Sequence, residues 1–242
     1  MLANFWYGVF TQNEDIFSKQ ALKKLFVLNY APNAMWTFIV SVYFLHNQDS
    51  FDDYQFCNFL DKLTAFIWAF TIKNGGSSTS KLRSLLYKEM INIVNDRETA
   101  FSDDKFKLDE LYQTLQKYNF SGQAGITRSM LAWWLMKYKG QKLLPLSEDL
   151  DIAHIQKMGR NINIDKYKLI GNQSLLEGKL QSSAAKFDFV DKKRYYAKSQ
   201  LQEILDIAAN STNFNVKEIQ QRTKKIFESF MDFVRENSLI IF

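Results

Sequence analysis

His154 is the residue in this chain best suited to carry chemistry. It lies at the end of a short alternating stretch, Leu150-Asp151-Ile152-Ala153-His154-Ile155, of the kind that forms a strand. Eighteen residues later comes Asn172, within Ile170-Gly171-Asn172-Gln173-Ser174-Leu175-Leu176, and nine beyond it Gln181, in a region compatible with the start of a helix. A neutral imidazole can remove a proton from water near neutral pH, so a histidine fixed at a strand end is a candidate general base. The chain holds two histidines, His46 and His154, which excludes a His-rich centre and confines any histidine chemistry to these two. A single cysteine, Cys57, excludes a disulfide scaffold and a Cys-based zinc site within one chain.

The elements that must position these residues are mostly helical. In 242 residues there are 2 prolines and 9 glycines against 21 phenylalanines, so helix breakers are scarce, and 46% hydrophobic with 24% charged residues excludes disorder. Helices are expected over Phe17–Asn29, Asn33–His46 with Pro32 at its first turn, Phe51–Ile72, and about Lys81–Asn95. Asn74–Ser80 reads as a loop and Asp96–Lys107 as a connection. Leu108–Tyr118 and Ile126–Tyr138 resume helical spacing, the latter apolar nearly all round through Met130, Leu131, Trp133, Trp134 and Leu135. After Gly140 the character changes. Leu143–Leu146 reads as a linker, Gln156–Asn163 as loop, and a second short strand is expected around Lys168-Leu169-Ile170, before helices over about Lys192–Ile207 and Val216–Phe233. The expectation is a mainly α protein: a helical domain over residues 1–140, then a domain over 141–242 with two short strands embedded in helices. The longest apolar run, Trp36–Leu45, is about ten residues, too short to span a bilayer, and reads as a buried helix. The N-terminus lacks the basic region of a signal peptide, so a cytoplasmic protein with no membrane partner is expected.

Strand, histidine, long loop, strand, asparagine, helix is the order of a ββα-metal finger, the fold of HNH nucleases. In that chemistry the histidine takes a proton from water, which attacks phosphorus. One divalent cation, held by a carboxylate beside the histidine and by a helix-borne Asn or His, stabilises the leaving oxygen. The middle asparagine braces the loop.

Residues 126–233 resemble the C-terminal domain of GmrSD-type restriction endonucleases. The resemblance rests on Ile126-Thr127-Arg128-Ser129-Met130-Leu131-Ala132-Trp133-Trp134, Asp151-Ile152-Ala153-His154-Ile155, Ile170-Gly171-Asn172-Gln173-Ser174-Leu175-Leu176-Glu177 and Phe187-Asp188-Phe189-Val190-Asp191-Lys192-Lys193-Arg194-Tyr195-Tyr196, in that order. Residues 1 to about 120 are more weakly similar to the helical middle region of those proteins. The resemblance implies restriction of foreign DNA in a bacterial or phage-defence setting, with Mg²⁺ or Mn²⁺ as cofactor, His154 as base and Asn172 as brace. Family members usually begin with an NTP-hydrolysing domain similar to ParB and sulfiredoxin. No segment here resembles it, so the chain is expected to be the C-terminal part, as a fragment or as a separate subunit with that domain as partner.

Two positions depart from the family pattern. It reads Glu-His-Ile followed one residue later by proline; here Ala153 replaces the glutamate and Lys157 the proline, while Gln181 stands where the helix normally carries asparagine. By resemblance Ala153 and Gln181 fall on the two metal-ligand positions, and alanine offers a cation nothing. Asp151, on the same strand face, is a substitute ligand but about 6.5 Å further back at strand rise. The sequence therefore leaves two functions open: an HNH-type endonuclease with a degraded metal site, or an inactive DNA-binding or protein-interaction scaffold that keeps the fold. An engineered Ala153, silencing a toxic nuclease, is a third.

A net charge of +5 is compatible with a polyanion partner. Lys157, Arg160, Lys179, Lys192, Lys193 and Arg194 are the candidate contacts to the DNA phosphate backbone, with Lys192-Lys193-Arg194 the densest cluster; the plain alternative is a solvated surface. Plain roles are expected elsewhere: His46 complements a helix end, Cys57 is a buried thiol, Trp133-Trp134 packs in the core, and Asn172 serves as a turn residue with left-handed backbone as well as a brace. Phe5-Trp6-Tyr7 is either a docking segment or frayed.

Overall fold

The protein is described by a computed structural model covering residues 1–76, 79–101, 105–122, 124–158 and 164–241. It is mainly helical and forms two compact units, one of Met1–Tyr118 with Ser229–Phe242, the other of Asn119–Glu228. The division expected near residue 140 lies inside the second unit.

The first unit contains α1 (Leu2–Thr11), α2 (Lys19–Asn29), α3 (Trp36–Asn47), α4 (Asp53–Lys73), α5 (Thr79–Val94) and α6 (Leu108–Lys117). Side-chain oxygens start two of these helices: Ser18 Oγ accepts from the Ala21 N–H and Asp52 Oδ1 from the Gln55 N–H, each satisfying one orphan donor of the first turn. Phe5 is buried against Phe17, Phe44 and Phe56, so the Phe5-Trp6-Tyr7 segment is helical and anchored by Phe5, not a frayed end, while Tyr7 is exposed. Two expectations change here. The third helix begins at Trp36, not at Asn33, because Asn33 Oδ1 accepts from the Met35 N–H and forms a side-chain turn after Pro32. That helix is also less buried than its apolar sequence suggests, with Phe38 and Leu45 exposed at 66% and 42%. The connection before α6 ends in β1 (Phe106–Lys107), which pairs in parallel with β4 (Ile240–Ile241); two-residue strands leave no period to read.

The second unit contains α7 (Ala124–Met136), β2 (Leu150–His154), α8 (Ile164–Tyr167), β3 (Gln173–Glu177), α9 (Gly178–Ala184), α10 (Phe189–Tyr196), α11 (Gln202–Asn210) and the first part of α12 (Val216–Glu236). β2 and β3 are antiparallel, in register from Leu150 opposite Glu177 to His154 opposite Gln173, and α9 follows β3 directly.

The second strand lies later than expected. Residues 168–170 are not a strand; Ile170–Asn172 form a 3₁₀ turn and β3 begins at Gln173, so Asn172 precedes the strand. The reason is the packing of this turn on α12. The Gly171 N–H donates to Thr223 Oγ1, and a Cβ at Gly171 would overlap the Ile219 carbonyl oxygen and the Thr223 hydroxyl. Asn172 does not adopt the left-handed backbone, which the described residues reserve for other positions.

The helix expected over 192–207 is two helices. The buried Glu177 carboxylate accepts from the Gln200 N–H at 2.6 Å and from Ser199 Oγ at 2.8 Å, and Ser199 Oγ accepts from the Leu201 N–H. These bonds draw the backbone away from helical pairing between α10 and α11. A second buried network ties β3 to α7, α11 and α12: Arg222 pairs with Glu203 at 2.6 Å, and Glu203 also accepts from Trp134 Nε1 and Ser174 Oγ.

Candidate functional site

The cleft beside β2 and α9 has a volume of about 350 Å³ and is lined by His154, Lys157, Gln181 and Lys192, over an apolar floor that includes Ile152, Leu176 and Ala184. The hairpin register puts His154 at the mouth of the β2–β3 pair, and the helix that follows β3 brings Gln181 to the same opening.

Asn172 fixes the segment that leaves His154. It is fully buried; its Oδ1 accepts from the Gln156 N–H at 2.8 Å, and its Nδ2 donates to the Gln156 and Tyr167 carbonyls at 3.2 and 3.0 Å. Its own carbonyl accepts from the Ile155 N–H at 2.8 Å. The side-chain amide thus holds Gln156 and the end of α8 while the backbone carbonyl holds Ile155, and both amide hydrogens and the amide oxygen have partners, as burial requires.

The imidazole of His154 is half-buried, and no described side chain hydrogen-bonds to it. Burial, and secondly the Lys192 charge, hold its pKa below the ordinary histidine value, so the ring stays neutral at physiological pH. Lys192, on α10, is itself 3% exposed and donates from Nζ to the His154 carbonyl at 2.6 Å, with the Ile155 carbonyl at 3.4 Å. Desolvation lowers its pKa to about 8, opposed by Asp188 and assisted by Lys157. The Lys157 ammonium donates to the Lys186 carbonyl at 3.0 Å.

The remaining candidates are spread out. Ala153 is buried opposite Ser174 and offers no donor atom to a cation. Asp151 does not line the cleft; its carboxylate lies 3.3 Å from Arg128 Nη2. Lys179 is exposed on α9, and Arg160 lies outside the described residues. Lys192-Lys193-Arg194 is not a single cationic face, because successive helical residues point about 100° apart. Lys192 turns inward, Lys193 Nζ donates to the Ser211 carbonyl at 2.9 Å, and the Arg194 guanidinium lies over the Phe187 and Tyr195 rings at 4.6 and 5.1 Å.

Hard divalent cations take oxygen ligands, preferably charged ones. Among the described residues the cleft is lined by no carboxylate, holds two ammonium groups, and has as side-chain oxygens the Gln181 amide and the Tyr196 hydroxyl, both uncharged. No cluster of three His, Cys, Asp or Glu side chains able to hold a metal occurs among the described residues. This donor set does not fit Mg²⁺ or Mn²⁺; it fits an anion.

The residues that sequence reasoning missed are Arg222 and Glu203. Arg222 Nη1 donates to the carbonyls of Ile170, Gly171 and Gln173, on both sides of Asn172. The signal was present: Arg222 and Thr223 interrupt an apolar stripe of α12 that runs through Ile219, Ile226 and Phe230. The plain expectations elsewhere gain detail. Cys57 is buried, with a thiol pKa pushed up to about 11, and His46 Nε2 lies 2.7 Å from Asp96 Oδ1 at the end of α3. Trp134 is half-buried and donates to Glu203. No helix among the described residues is long and apolar enough to cross a membrane. No family model, no curated protein and no solved structure matches this chain.

Proposed function

We propose that residues 119–228 are a DNA-acting module of the HNH type, similar to the C-terminal domain of GmrSD-type restriction endonucleases, that engages the phosphodiester backbone and has lost the metal chemistry of that fold. The observation that carries this reading is the cleft itself: a strand-end histidine, a buried asparagine clamping the residues after it, and a helix following the second strand, with Ala153 where a cation would need a carboxylate and two ammonium groups in the lining. Contacts of this kind go to phosphate and carry no base sequence, so binding is salt-sensitive and sequence-tolerant. In the family setting, a partner domain supplies nucleotide hydrolysis, and the module serves restriction by holding DNA.

Fluorescence anisotropy with duplexes of unrelated sequence at several salt concentrations tests this. Affinities that agree across sequences and fall steeply with salt support the reading; no binding at low salt refutes it. A second reading, an endonuclease in which His154 activates water, is favoured by one observation, the neutral imidazole facing the cleft with its Asn172 clamp intact. Hydrolysis of the bound DNA separates the two.

A further inference from the structure

We infer that the cleft beside His154 is a metal-independent phosphate site in which the ammonium of Lys192, seconded by that of Lys157, takes over the part of the divalent cation. This rests on the nucleic-acid reading above for its source of phosphate, but not for the site. Lys192 is a built-in cation and not a surface one: its side chain is 3% exposed and its Nζ is fixed 2.6 Å from the carbonyl oxygen of His154. An ammonium has three N–H donors, and the His154 and Ile155 carbonyls engage two, which leaves one for an anion in the cleft that the side chain lines. Lys157 brings a second ammonium to the same cleft from the loop after β2, three residues beyond His154. The Gln181 amide and the neutral His154 ring add a hydrogen-bond donor each without adding negative charge.

The residues at the two positions that would hold a metal therefore agree with the positive charge of the site. Alanine at 153 removes the carboxylate, glutamine at 181 remains neutral, and lysines at 157 and 192 supply positive charge beside the same histidine. A cleft with two fixed cations repels a divalent cation and attracts a phosphate oxyanion, and the low-dielectric wall strengthens both effects. The ligand is a phosphodiester of a nucleic-acid backbone or a free phosphate; both present the same oxyanion.

The test measures binding of a fluorescent DNA duplex by anisotropy and of inorganic phosphate by calorimetry, each in EDTA and in millimolar Mg²⁺. The proteins are the full chain and its Lys157→Met, Lys192→Met and Lys192→Arg variants, with folding checked by circular dichroism. The expected result is full affinity in EDTA, with Mg²⁺ adding nothing and weakening DNA binding only as a competing counterion does, a loss of roughly tenfold or more in Lys157→Met and Lys192→Met, and retention of most of the affinity in Lys192→Arg. Because Lys157 is exposed, its variant decides the matter if Lys192→Met does not fold. Loss of both ligands in EDTA, unchanged affinity in folded lysine variants, or no binding of either ligand overturns the inference. Lysine-dependent binding of phosphate without binding of DNA upholds the anion site and sinks the nucleic-acid reading. DNA binding that ignores both lysines does the reverse.

Discussion

Asn172 and Gln156 are joined by two hydrogen bonds between one side chain and one peptide unit: Oδ1 accepts from the Gln156 N–H at 2.8 Å and Nδ2 donates to the Gln156 carbonyl at 3.2 Å. The pair fixes the chain two residues after His154, so the strand-end histidine and the turn before β3 form one unit. Asn172→Ala leaves a buried N–H and two carbonyls without partners, which costs about 2–4 kcal/mol of unfolding free energy. Urea denaturation measures it, and a loss under about 0.5 kcal/mol, the range of an unremarkable surface change, rules out the clamp.

Arg222 and Glu203 form a buried ion pair that also carries three backbone carbonyls around Asn172. Removing one partner leaves the other charged and unpaired, so Arg222→Met is expected to destabilise by about 3–5 kcal/mol. The double variant Arg222→Met with Glu203→Gln recovers part of the loss, because the stranded carboxylate is gone. Additive single effects in a double-mutant cycle would show that the pair is not coupled.

Gly171 has no room for a side chain against α12. Gly171→Ala is expected to destabilise by about 1–3 kcal/mol, the usual range for overpacking, and to weaken DNA binding by shifting the neighbouring Asn172. A neutral or stabilising alanine, measured by thermal unfolding with and without DNA, contradicts the close approach.

The pH dependence follows from groups shifted by burial. His154 stays neutral in the fold while the unfolded chain takes up a proton near its ordinary value of 6.5, so stability falls as pH drops through that value. Lys192 acts in the alkaline range: between about 8 and its ordinary 10.5 the unfolded chain holds the proton that the fold has released, so this group makes stability rise with pH there. The opposite holds for Cys57, raised to about 11, and for Tyr118 and Tyr138, each raised to about 12. Their contribution is lost as pH rises above the ordinary values of 9.0 and 10.0. With His46→Gln, leaving a single histidine, an NMR titration reads His154 directly. A midpoint at or above 6.5 contradicts the burial argument.

Helix existence was legible in the sequence because the apolar residues of α2 and α4 recur at three and four and are in fact buried, from Leu22 to Leu28 and from Phe56 to Ile72. The sequence singled out His154 and Asn172 through the order strand, histidine, loop, strand, asparagine, helix; the structure brings the two segments together, with Asn172 before the second strand and not after it. The position of β3 was not legible, since Lys168-Leu169-Ile170 has the composition of a strand and only the packing of Gly171 on α12 makes it a turn. That Lys192 is buried was not legible, because the helix expected from that residue gives it no phase, and α10 turns it toward the β2 terminus. Arg222 was overlooked since a charged residue in a long amphipathic helix is ordinarily at the surface.

The most direct test of the central claim is plasmid nicking, with Mg²⁺, with Mn²⁺ and with EDTA, by the parent chain, His154→Ala, and the double restoration Ala153→Glu with Gln181→Asn. The parent is predicted to bind the supercoiled plasmid and leave it intact in all three conditions, while the restored protein gains metal-dependent nicking. Metal-dependent nicking by the parent, abolished in His154→Ala, would contradict the account and make this chain a working nuclease.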